Sequence, residues 1–122
     1  MITTNAFRAM LGLTLTLLAA NAAADTANIT AFVEKTMVTS DSTRGGCVAA
    51  LSKNPAAVLP ACKKTWVTFS CDGTYTDPVR AYRMLDQAQL ALATGLQVQV
   101  LVTDARMHDG YCFVEQIKVM TE

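Results

Sequence analysis

The stretch Thr65–Gly95, TWVTFSCDGTYTDPVRAYRMLDQAQLALATG, decides the fold. Its first part, Thr65–Cys71, alternates. Val67, Phe69 and Cys71 share one face; Trp66, Thr68 and Ser70 share the other. β-Branched and aromatic residues dominate, as a half-buried strand requires. Asp72-Gly73 ends it, because glycine tolerates turn conformations that other residues avoid. Asp77-Pro78 then predicts a helix start. The carboxylate can accept from an orphan amide, and proline fits the first helical position. Ala81, Leu85, Ala88 and Leu92 recur at helical spacing, and Met84 and Ala91 widen the stripe. Gly95 supplies the stop. The small residues of the stripe let the helix approach a surface closely. That surface is the protein's own sheet or, on a second reading, another copy.

Outward from this block, Asn28–Val38 predicts a first strand. Its apolar residues change phase, which a bulge would produce. Thr39–Gly46 (TSDSTRGG) is a polar loop and Cys47–Leu51 a short apolar strand. Asn54-Pro55 and Pro60 make Ser52–Lys64 a loop. Leu96–Thr103 (LQVQVLVT) alternates cleanly, Asp104–Gly110 forms a hairpin loop, and Tyr111–Met120 is the last strand. The phase of that last strand changes between Val114 and Ile117, so a bulge is expected near Glu115. The order β-β-β-α-β-β in a small chain predicts a mainly β fold with one helix, an OB-like five-stranded barrel.

The first 24 residues carry Arg8, an uncharged apolar run and Ala22-Ala23-Ala24. That is the pattern of a secretory signal peptide. The run is too short for a comfortable membrane span, and no cysteine follows the cleavage site to carry a lipid. The expected domain is therefore 25–122, one small OB-like unit in the periplasm or outside the cell. Of ten basic and ten acidic side chains, the leader removes only Arg8. The remainder is close to neutral and lacks the basic excess of a dedicated nucleic-acid binder.

Cys47, Cys62, Cys71 and Cys112 all lie in this domain. An even count in a small exported chain predicts two disulfides. No short-spaced cysteine pair suggests zinc instead. Two arguments about pairing disagree. Shortest closure joins Cys47 to Cys62 and Cys71 to Cys112. Barrel geometry brings the start of the second strand beside the end of the third, and the start of the fifth beside the start of the third. It therefore favours Cys47–Cys71 with Cys62–Cys112.

The pieces WVTFSCDG, AQLALATGLQVQV and GYCFVEQI resemble a group of small exported bacterial proteins with OB-like folds. More distantly, the block Trp66–Val119 is similar to the receptor-binding B subunits of subtilase-type AB5 toxins. The resemblance implies a barrel and, from the toxin group, a glycan-binding, ring-forming subunit. No binding residue carries over, because the toxin loops do not align.

Catalytic patterns are thin. His108 is the only histidine. It falls in the expected hairpin loop with no serine or thiol evidently paired to it, and reads as a solvated loop residue. Asp72 and Asp77 read as turn and cap residues, too few for calcium. No phosphate loop or metal-ligand cluster occurs, so neither cofactor nor metal is expected. Trp66 and Tyr75 are the candidate ligand-binding residues, since aromatic faces stack on sugars and OB barrels bind sugars and bases. Covering the barrel is the alternative role for Trp66. Two functional readings result. One is a non-enzymatic binding or adaptor module for a glycan or a protein, including a homo-oligomeric toxin-type subunit. The other is a periplasmic enzyme inhibitor or small hydrolase.

Overall fold

The computed structural model describes residues 25–63 and 65–121. The leader expected at residues 1–24 lies outside them. Five strands, β1 (Thr26–Val38), β2 (Cys47–Leu51), β3 (Trp66–Thr68), β4 (Gln97–His108) and β5 (Tyr111–Met120), close a barrel in the order β1-β2-β3-β5-β4. The one α-helix among the described residues, α1 (Pro78–Thr94), lies between β3 and β4 in sequence. A single 3-10 turn, Pro55–Ala57, interrupts the loop after β2. The expected OB-like architecture is what the chain adopts.

Register explains the irregular phases. Val33 faces Leu51 but Lys35 faces Ala50, so Glu34 is an extra residue in β1. Leu101 faces Gln116 and Val102 faces Val114, which places the β5 bulge at Glu115 as its sequence requires. β2 is antiparallel to β3, and β3 is parallel to β5. The disulfides follow that geometry. Cys47–Cys71 and Cys62–Cys112 span Cα separations of 5.6 and 5.4 Å, within ordinary bridging range. Shortest closure loses because strand pairing, not sequence distance, brings cysteines together.

α1 packs across β1, β2, β4 and β5. Asp77 accepts from the amides of Val79 and Arg80, and Gly95 ends the helix in the left-handed region at φ 70°. Ala81, Leu85, Ala88 and Ala91 are buried in the same apolar cluster as Ile29, Leu51, Phe69 and Val100. This helix face is therefore covered by its own barrel. Leu92, expected in the stripe, is 39% exposed; Ala91 takes its place in the core.

Two strands differ from the sequence reading. β3 stops at Thr68 instead of continuing to Cys71. Ser70 adopts φ 57°, a left-handed conformation that ends extended pairing. Thr68 and Ser70, expected on an outer face, are fully buried because both anchor neighbouring loops. β4 runs on to His108, so the hairpin turn is only Asp109-Gly110. Both turn residues have positive φ, the two-residue hairpin geometry that Asp-Gly favours.

Candidate binding cleft and the polar cluster behind it

Three segments meet near the end of β3: the β1–β2 loop, residues 70–75 and the end of β4. Gly45 makes the approach possible. Its φ is 81°, and a Cβ there would sit 2.7 Å from both His108 Cδ2 and Thr68 Oγ1. Only glycine fits so close a contact. The Thr68 hydroxyl donates to the Arg44 carbonyl at 2.7 Å, and the Asp72 amide donates to the Gly45 carbonyl at 3.1 Å. The Cys47–Cys71 bridge fastens the same two loops covalently.

Ser70, Asp72, Tyr75 and His108 form one hydrogen-bonded group. The Ser70 hydroxyl donates to Asp72 Oδ1 at 2.9 Å and accepts the Tyr75 amide at 3.2 Å. His108 Nε2 lies 2.9 Å from Ser70 Oγ. The hydroxyl has one proton, and Asp72 takes it, so His108 must donate through Nε2–H. The Tyr75 ring lies 4.7 Å from that of His108, tilted by 46°, and its hydroxyl donates to the Met107 carbonyl at 2.6 Å. Burial pushes the pKa of the Asp72 carboxyl up. Bonds from Thr74 and Ser70, with the nearby His108, outweigh it and hold the carboxyl below its ordinary pKa.

This arrangement corrects the reading of His108 as a solvated loop residue. Its side chain is only 11% exposed, and a serine is paired with it. The pairing nevertheless lacks the features of an activated nucleophile. Such a serine gives its proton to an unprotonated histidine nitrogen, while a carboxylate orients the opposite ring nitrogen. Here the carboxylate accepts the serine proton directly and lies 3.5 Å from the same Nε2. In this arrangement Ser70, Asp72 and His108 hold one another in position.

In front of the cluster lies a cleft of about 160 Å³ between residues 39–42, Asp72 and Tyr82. Its wall is self-supporting. Asp41 Oδ1 accepts both the amide and the hydroxyl of Thr43, at 2.8 and 2.6 Å. Those bonds lower the pKa of Asp41. Thr39, Ser40, Ser42 and the two carboxylates make the lining polar, and the half-exposed Tyr82 ring forms one side. Of the aromatic candidates, Tyr75 belongs to the supporting cluster, and its ring contacts are with His108 and Phe113. Trp66 is half-buried at the start of β3 and takes no part in the cluster's bonds or ring contacts. Tyr82, which the sequence reading did not single out, is the aromatic at the cleft. Its proximity to residues 39–42 depends on how α1 packs, which its own segment does not encode.

Among the described residues no group of three metal-ligating side chains occurs, and no helix is long and apolar enough to cross a membrane. Compared with known families, characterised proteins and solved structures, the chain matches none.

Proposed function

We propose that this is an exported, non-enzymatic binding module, and that its cleft at residues 39–42, Asp72 and Tyr82 takes a glycan. The observation that carries the reading is the cleft's lining: hydroxyls and carboxylates beside one aromatic ring, on loops fixed by a disulfide and a glycine contact. Carboxylates and hydroxyls accept and donate to the alternating hydroxyls of a sugar. The small volume suits a single ring of a longer chain, below the usual size for a drug-like ligand. Two disulfides in so small a domain suit an oxidising compartment, the periplasm or the outside of the cell. The resemblance to toxin B subunits agrees with glycan recognition and extends the proposal to a ring of identical copies.

A glycan array probed with the disulfide-bonded protein tests this. Retention of a defined set of glycans, lost in Tyr82→Ala, is the expected outcome. Tyr82 is exposed, so the change should leave folding intact. Absence of any retained glycan, or release of a hydrolysed product from one, counts against the proposal. Sedimentation mass tests the ring separately, with a monomer as the contrary result.

A further inference from the structure

A second surface lies where the barrel closure is thinnest. β3 pairs with β5 only at Val67–Cys112 and Thr68–Phe113. Beyond Phe113, β5 continues to Met120 with β4 as its sole strand neighbour among the described residues. Among the described residues no hydrogen bond reaches the backbone groups of Val114–Met120 that point away from β4. A strand edge of this kind is a template for another strand. The Glu115 bulge interrupts its start, leaving Gln116–Met120 as the regular portion.

α1 runs beside this edge across a groove of about 400 Å³. Arg80 and Arg83 line the helix side and have no carboxylate within ion-pair distance among the described residues. Met84 and Ile117 are half-buried against the core and form an apolar floor. Backbone pairing, an apolar floor and two arginines against the single carboxylate of Glu115 in the same groove point to one kind of occupant. We infer that an extended, acidic segment of a partner protein adds to the β5 edge at Gln116–Met120, with its carboxylates against Arg80 and Arg83. This surface shares no residue with the glycan cleft, and its test is independent of that one.

The probe is a capped synthetic hexapeptide of alternating glutamate and valine, with a lysine–valine hexapeptide as control. Binding is measured by NMR titration and amide exchange on the disulfide-bonded protein. The acidic peptide should bind, slow exchange at amides within Gln116–Met120, and weaken as salt rises. Reversing both charges, Arg80→Glu with Arg83→Glu, should weaken it about tenfold, two exposed pairs of modest strength each. Both arginines are exposed; should the reversal not fold, Arg80→Gln with Arg83→Gln carries the same test. No binding, equal binding of the lysine peptide, or protection elsewhere overturns the inference. So does an edge already protected in a self-associated protein, which would assign the edge to a second copy.

Discussion

α1 and the Ser70–His108 cluster are built on opposite principles. Everything that makes the helix lies between Asp77 and Gly95: a cap, a proline, a stripe of small and apolar residues and a left-handed stop. The cluster draws its atoms from Arg44, Gly45, Thr68, Ser70, Asp72, Tyr75, Met107 and His108. Ser70 and His108 are 38 positions apart. The helix is held by buried area, which grows methylene by methylene and tolerates partial loss. The cluster is held by hydrogen bonds that satisfy one another, so removing one member strands the rest. A local code therefore fixes where mass goes, and long-range register fixes where chemistry goes.

The comparison sharpens when each region is damaged in turn. Leu85→Ala opens a cavity in the shared core and should cost about 2–5 kcal/mol of unfolding free energy. Denaturant titration measures it, and glycan binding by the protein that remains folded should be unchanged. A loss below about 0.5 kcal/mol would mean that Leu85 does not fill the core, since only surface changes are normally so cheap.

Ser70→Ala should cost about 1–3 kcal/mol, because Asp72, His108 and the Tyr75 amide each lose a partner behind the cleft. Unlike Leu85→Ala, it should also weaken glycan binding. A stability loss with full binding would separate the cluster from the cleft and break the comparison.

Asp77→Ala removes the acceptor for Val79 and Arg80 and should cost about 1 kcal/mol. Helix content measured by circular dichroism near the midpoint should fall without any change at the cleft. An unchanged midpoint would show that the cap is dispensable.

The smallest expected effect is on pH dependence. The folded state depresses the pKa of Asp72, so its contribution to stability is complete above the ordinary carboxylate range. It is lost as pH falls through the lower folded value. Asp72→Asn should therefore flatten part of the acid limb below about pH 4. An acid limb identical to that of the parent protein would show that Asp72 is not held by these bonds.

How much of this was legible follows from the same distinction. The barrel order, the helix and the bulge at Glu115 were readable, because alternation and helical periodicity are properties of adjacent residues. The disulfide pairing was readable once strand directions were drawn, although the sequence alone left a rival. The end of β3 was not readable, since an alternating run gives no sign that Ser70 turns left-handed. Leu92 was misplaced for a related reason. It lies on the right side of the helix, but burial there depends on the barrel beneath the last turn. His108 was misjudged because Asp104–Gly110 looks like a loop. The strand in fact extends to His108 and delivers it to Ser70. Gly45 was the missed signal: two consecutive glycines before a cysteine mark a place where backbone passes close to something.

The character of the cluster turns on which atom holds the proton between Ser70 and His108. With a single histidine in the chain, nitrogen NMR of the imidazole at neutral pH reads it without ambiguity. The expected result is a proton on Nε2, donating to a Ser70 hydroxyl whose own proton points to Asp72. An unprotonated Nε2 facing the serine would contradict it, because that is the state in which Ser70 becomes a nucleophile and the cleft an active site.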